Sequence, residues 1–242
     1  RDLRSYLVTP LGWWVFAVAT GLLAYLFLEQ VEHYVRLQNR LVVLPNAPGI
    51  TQLVVAQWMS SCAWVLLLII PLITMRTFSE EWRSATMALL LTAPLSSVTL
   101  VLSKYISALI FFWLLLIVLA LLPLSLLLGT ELDLGLVAAG MFGLLLYSAA
   151  CIAVGVYISL LTRQPWVAAV LTLGVLMMLW IVRHDGSLNV TVTPLTYLSP
   201  ATHFEVFTRG IVSLDNVSYF IVLTVAMLAL SVVRFAYLRR SG

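Results

Sequence analysis

Residues 53–75 read LVVAQWMSSCAWVLLLIIPLITM, a run without one charged side chain. A bilayer core about 30 Å thick is crossed by about 20 helical residues, because a helix pairs within itself the backbone amides that hydrocarbon leaves unsolvated. The run has that length. Five others of the same character accompany it: Leu11–Leu28, Val98–Leu128, Gly135–Leu161, Trp166–Val182 and Val217–Tyr237. Those beginning at Val98 and Gly135 are long enough to tilt or to project beyond the bilayer. A soluble bundle would need hydrophilic partner faces, and they are missing. Of 242 residues, 62% are hydrophobic and 10% charged, with a mean hydropathy of +1.08, whereas soluble domains carry roughly 25% charged residues. The expectation is an all-α integral membrane protein, residues 1–242 forming a single transmembrane domain of six spans.

With six spans both termini lie on one side, and the positive-inside rule assigns it. The terminal side, with residues 76–97 and 162–165 and the adjoining span ends, holds nine of the 13 basic residues: Arg1, Arg4, Arg76, Arg83, Lys104, Arg163, Arg234, Arg239 and Arg240. Its acids are Asp2, Glu80 and Glu81. The other side holds Arg36, Arg40, Arg183 and Arg209 against Glu29, Glu32, Glu131, Asp133, Asp185, Glu205 and Asp215. Both termini are therefore expected in the cytoplasm. The net charge of +3 reflects topology and not a nucleic-acid partner, which would need Lys and Arg clustered among aromatics on an exposed module. Cys62 and Cys151 fall inside spans, where a thiol behaves as a small apolar side chain. Neither a disulfide nor a Cys-x-x-Cys motif is readable, and no metal is expected. The chain begins at Arg1 and not at Met, so a start upstream is expected. Leu11–Leu28 is long for a signal-peptide core, and no small-x-small site follows it.

Several shorter features punctuate the spans. Residues Arg1–Pro10 form an amphipathic approach, with Leu3, Tyr6 and Leu7 at helical spacing and Arg1 and Arg4 placed for lipid phosphates. Trp13, Trp14 and Tyr25 read as headgroup-zone anchors, and Glu29–Gln52 as a helical extension followed by a loop. Gln57, Ser60 and Ser61 are polar side chains inside a span. Such groups face protein or a wet path, which makes them a candidate pathway or dimer face. Ala139, Gly143, Cys151, Gly155 and Ser159 recur at multiples of four, a spacing of small residues that lets helix backbones approach closely.

Between the fifth and sixth spans, a short apolar helix is expected after Thr193-Pro194 as a re-entrant or interfacial element on the external side. Ser199 would cap it and Pro200 would be its first residue, with Phe204, Phe207 and Ile211 at helical spacing and Gly210 as its stop. His203 lies within it. The triplets at Asn189 and Asn216 match the N-glycosylation pattern and are read as coincidence.

The most informative stretch is Arg76–Pro94, between the second and third spans. Thr77 followed by Glu80 has the form of a capping box, and Glu80 with Glu81 would place negative charge on a first helical turn. A helix is expected from near Phe78 to before Pro94. It is amphipathic, with Trp82, Met87, Leu90 and Leu91 available to lipid or bundle and Glu80, Glu81, Arg83 and Thr86 directed to the cytoplasm.

The run from Phe78 to Ser96, followed by Lys104, resembles the coupling-helix region of ABC-2-type transporter permeases. The matching positions are Glu80, Glu81, Arg83, Thr86, Leu89, Leu90, Thr92, Pro94 and Lys104. Ala85, Ala88 and Ser103 replace the family's glycine, glutamate and second glycine. Residues Tyr197–Leu214 resemble the external segment of the branch that includes gliding-motility GldF-like permeases. The resemblance implies a permease of the bacterial inner (cytoplasmic) membrane. It would dimerise with itself or with a sister permease, and dock two cytoplasmic ABC ATPase subunits that bind ATP and Mg. The chain itself has no phosphate-binding Gly-x-x-x-x-Gly-Lys-Ser/Thr loop, so no cofactor and no catalytic residue is expected in it. On the resemblance, Glu80, Glu81 and Arg83 would make the charged contacts to the ATPase and Trp82 and Met87 the apolar ones, with Phe78, Thr86 and Pro94 completing the coupling segment.

Two other classes are weighed against this. An ATP-independent secondary transporter or channel would want ionisable groups at span centres or an inverted repeat, and neither is visible. An intramembrane enzyme would need acids, His or Cys converging within the spans, whereas His33, His184 and His203 all lie outside them.

Overall fold

The computed structural model describes residues 10–41, 49–83, 87, 96–130, 132–181 and 196–241, and among these the ordered elements are all helical. In chain order they are α1 (Pro10–Leu41), a π-helical turn (Thr51–Val55) leading into α2 (Ala56–Thr74), α3 (Arg76–Arg83), α4 (Ser97–Ser125) closing in a 3₁₀ turn (Leu126–Leu128), α5 (Leu134–Leu161), α6 (Pro165–Ile181), a 3₁₀ turn (Thr196–Leu198), α7 (Pro200–Thr208) and α8 (Leu214–Ser241). Among the described residues, five stretches are long and apolar enough to cross a membrane: Gly12–Leu37, Thr51–Arg83, Ser97–Leu128, Leu134–Leu161 and Leu214–Arg240. The fifth expected span corresponds to α6, a shorter apolar helix of 17 residues. The expected extension of the first span is present, since α1 runs on to Leu41. Residues 1–9, with the amphipathic approach, lie outside the described residues, as do Thr86, Pro94 and Pro194.

Local chemistry sets the helix starts. Ser96 is extended (ψ 146°) and its hydroxyl accepts from the Thr99 N–H at 3.1 Å, capping α4. Asp133 caps α5 by accepting from the N–H groups of Gly135 and Leu136 at 2.9 and 3.2 Å. Its own N–H donates to the Thr51 hydroxyl at 3.2 Å, tying the start of α5 to the start of the α2 segment. Each cap satisfies amides that the helix cannot pair itself.

The centre of the bundle is α5, which packs against α2, α3, α4, α6, α7 and α8. Hydrophobic burial cannot drive helices together in lipid, so close backbone approach and interhelical hydrogen bonds take its place. The small-residue pattern of α5 supplies both. A Cβ built on Gly155 would lie 2.7 Å from the Thr74 Cβ of α2, and one on Gly143 would lie 2.6 Å from the Phe207 Cβ of α7. Both of these close approaches are to helices of the same chain. α1 packs on α2 and α4, where the buried Trp58 indole donates to the Leu23 carbonyl at 3.0 Å. The outer faces of α1 and α8 present Trp13, Trp14, Tyr25, Val222 and Val233 outward, as surfaces in contact with lipid do. Cys62 and Cys151 are buried free thiols.

Candidate functional site

The chain stays in helical dihedrals through Met75 (φ −55°, ψ −31°), so α3 begins at Arg76, two residues before the expected start. Thr77 is therefore inside the helix, and Glu80 and Glu81 fall in its second turn. The sequence cap at Thr77 is replaced by one from another helix. Met75 stands in the N-cap position with only a thioether, a weak acceptor. Ser159 of α5 supplies the oxygen instead. Its hydroxyl accepts from the N–H groups of Phe78 and Ser79 at 3.0 and 3.2 Å and donates to the Met75 carbonyl at 3.2 Å. The Ser79 hydroxyl answers by donating to the Ser159 carbonyl at 2.9 Å.

A second clamp comes from α4. The Lys104 ammonium, 8% exposed, donates to the Thr77 carbonyl at 2.8 Å and to Glu81 Oε1 at 2.6 Å. It also lies 5.1 Å from the centroid of the Phe78 ring. Phe78 is fully buried, its ring 6.0 Å from that of Phe235 in α8. Trp82 is half-buried under the Arg163 guanidinium at 5.4 Å, in the turn that follows α5. Hence α3 is held by α4, α5, α8 and the α5–α6 turn together.

This placement divides the expected coupling residues. Glu81, expected to face the cytoplasm, is turned inward because Lys104 reaches it from α4. Phe78 and Met87 are buried in the bundle core. Glu80 and Arg83 remain on the exposed side, with Glu80 3.8 Å from Arg76. Ser159 was legible only as a small packing residue, and Lys104 only as part of a motif. Nothing in the local sequence pairs either with α3.

The opposite end of α5 carries the second short element. α7 begins with Ser199 extended and Pro200 as its first residue, as expected, but the buried Ser199 hydroxyl does not cap it and, among the described residues, has no hydrogen-bond partner. Its finish follows the sequence closely. Gly210 takes φ +80°, with its N–H donating to the Phe207 carbonyl at 3.0 Å and that of Ile211 to the Val206 carbonyl at 3.3 Å. This is the Schellman pattern that a left-handed glycine permits. His203 is buried and stacked on Tyr219 of α8, ring centroids 4.0 Å apart. Its Nδ1 lies 2.6 Å from Asn216 Oδ1, and its Nε2 is 3.0 Å from the Tyr197 carbonyl. Asn216 is thereby occupied within the fold.

Between α2, α6 and α7 lies a cavity of about 170 Å³, lined by Gln52, Gln57, Ser60, Trp180, Phe204, Glu205, Thr208 and Arg209 among others. Glu205 and Arg209 pair across one helical turn at 3.0 Å. The structure thus brings Gln57 and Ser60 together with α7. Ser61 is not in the lining; its hydroxyl donates back to the Gln57 carbonyl at 3.2 Å. Among the described residues, no three His, Cys, Asp or Glu converge in a manner that would hold a metal ion.

A multi-pass helical membrane protein is defined by these features, with a charged short helix clamped at one end of its bundle and an aromatic-rich one seated at the other. The family model for the ABC-2 family transporter protein matches residues 17–237, and the chain belongs to that family. It is a membrane component of ABC transporters, a class that normally works with a separate ABC ATPase. A comparison with curated proteins found no match.

Proposed function

We propose that the chain is a permease subunit that couples ATP binding and hydrolysis by separate cytoplasmic ATPase subunits to export, or to force transmission, across a bacterial inner membrane. α6 is the fifth of six spans. At about 1.5 Å per residue its 17 residues cover about 25 Å, within the range that spans a membrane with slight thinning. Both termini and α3 then face the cytoplasm, where the basic residues concentrate. The subunit pairs with a second copy or a sister permease, and the cavity beside Gln57 and Ser60 lies on the external side of the path.

The observation that carries this reading is the division of α3. Its inner face is fixed to three other helices through Phe78, Ser79 and Glu81, while Glu80 and Arg83 are presented outward. A force applied to that outer face cannot be absorbed by a loose loop, because the helix is bound into the bundle. ATP and Mg belong to the partner; this chain supplies the surface and the linkage.

The test is charge reversal of the outer face, Glu80→Lys with Arg83→Glu, in the complex purified with its ATPase. The expected result is at least about ten-fold weaker association, equivalent to about 1.4 kcal/mol, or a complex whose ATP turnover no longer responds to the permease. Unchanged association and unchanged coupled turnover would remove α3 as the docking helix.

A further inference from the structure

Both short helices are mounted on α5, which seats one by hydrogen bonds and the other by close backbone approach; α8 also touches both, through Phe235 beside Phe78 and through Tyr219 stacked on His203. At one end the Ser159 hydroxyl fills the break between α2 and α3, satisfying two amides of α3 and the Met75 carbonyl at once. At the other, Phe207 of α7 rests against Gly143 so closely that even a Cβ there would lie 2.6 Å from the Phe207 Cβ. Tyr147, one turn further along α5, is fully buried, and its ring stands 5.7 Å from Phe204 of the same α7. Gly143 and Ser159 are sixteen positions apart, about 24 Å at about 1.5 Å per residue. The helix between them contains no proline, and apart from Leu145, Leu146, Ala149 and Tyr157 its residues are buried. It is therefore confined on nearly every side by packed neighbours.

We infer that α5 is the element through which α3 and α7 are energetically coupled, with Ser159 as the positioning residue at its α3 end and the Gly143–Phe207 contact as the seat at its α7 end. The inference deepens the proposed function and rests on it for direction, since α3 is the input only if an ATPase docks there. The coupling itself needs no ATPase. Two competing routes exist: α2 is covalently continuous with α3 through Met75 and lines the cavity beside α7 with Gln57 and Ser60, and α8 meets α3 at Phe78 and α7 at His203. Removing the Ser159 hydroxyl takes away its bonds to Phe78, Ser79 and Met75, keeps the Ser79 hydroxyl on the Ser159 carbonyl, and touches neither the α2 nor the α8 contacts, so weakening of the α5 route is separable from both.

A mechanical link between two sites is also a thermodynamic one and works in both directions. In the permease alone, reconstituted in lipid nanodiscs, Ser159→Ala should speed amide hydrogen exchange at Phe78 and Ser79 about five-fold, the usual consequence of losing a helix cap. The same variant should raise exchange in α7, at residues 204–208, by about two-fold or more, the lower end of measured coupling between distant sites. Gly143→Ala, which must displace Phe207, should raise exchange in α7 and reciprocally at Phe78 and Ser79. Phe207→Leu gives the same comparison from the α7 side if Gly143→Ala does not fold. Effects confined to the end that was altered, in Ser159→Ala and in either α7-seat variant, would overturn the inference and leave α2 or α8 as the carrier. Whether an ATPase binds at all is read separately, by copurification with the unaltered permease.

Discussion

Lys104 is a charged residue that a membrane helix tolerates only because every demand it makes is met. The ammonium is nearly enclosed, yet it has a carboxylate at 2.6 Å and a carbonyl at 2.8 Å, so its desolvation is offset by charge-assisted hydrogen bonds. Removing one partner of such a pair costs about 3–5 kcal/mol when the remaining charge is fully buried. Glu81 keeps 22% of its side chain exposed against 8% for Lys104, so Lys104→Met is expected at the lower end of that range, and Glu81→Gln, which leaves the more buried charge but keeps an amide oxygen for it to donate to, at a similar cost. Lys104→Met combined with Glu81→Gln should cost less than the sum of the two, because no unpaired charge is left. Thermal unfolding of the four proteins in detergent measures this. Additive losses would show that the pair contributes no coupling energy. The role of Glu81 could not be read locally. In a list of residues it belongs with Glu80 as a solvent-facing acid, and only the approach of α4 turns it inward.

At the scale of elements, the small residues of α5 decide how near its neighbours come. Gly155 faces the end of α2 with Thr74 in direct contact, and the atom to be accommodated is a Cβ and not a flexible tip. Gly155→Ala should therefore destabilise the α2–α5 contact by about 1–3 kcal/mol, the cost of overpacking a filled site. Thr74→Ala in the same chain should restore part of the loss, since it removes the Thr74 hydroxyl and methyl that would meet the new Cβ. A melting-temperature series over the single and double variants checks this; a double variant no better than Gly155→Ala alone would place the clash elsewhere. The long helices were legible because a span is a local property: about 20 apolar residues and a start signal suffice. The end of α7 was legible for the same reason, since Gly210 answers to its own backbone. The start of α3 was not. A capping box was visible at Thr77, but α2 continues through Met75, and the oxygen that caps α3 comes from Ser159, 81 residues away from Phe78.

For the whole molecule, the proposed topology places the two ends of α6 on opposite sides of the membrane. In a background with Cys62→Ala and Cys151→Ala, Arg163→Cys should react with a membrane-impermeant thiol reagent only from the cytoplasmic side, and Asp185→Cys only from the external side. Reaction of both from one side would make α6 a non-crossing helix and reverse the assignment of everything after it, α8 included. The distribution of basic residues makes that outcome unfavourable, because it would move Arg234, Arg239 and Arg240 to the external face.

The sequence by itself determined that this is a helical membrane protein, roughly where its long helices lie, and that two short apolar or amphipathic segments stand outside the pattern. Those properties follow from hydropathy, period and punctuation, all written along the chain. Only the tertiary structure decided which face of α3 is turned outward, that Ser159 and Lys104 hold it, and that α5 carries both short elements. Such contacts join residues 23 to 84 positions apart. They depend on which helices lie side by side, and in a bundle whose surfaces are all apolar the local pattern of hydrophobicity does not record that choice.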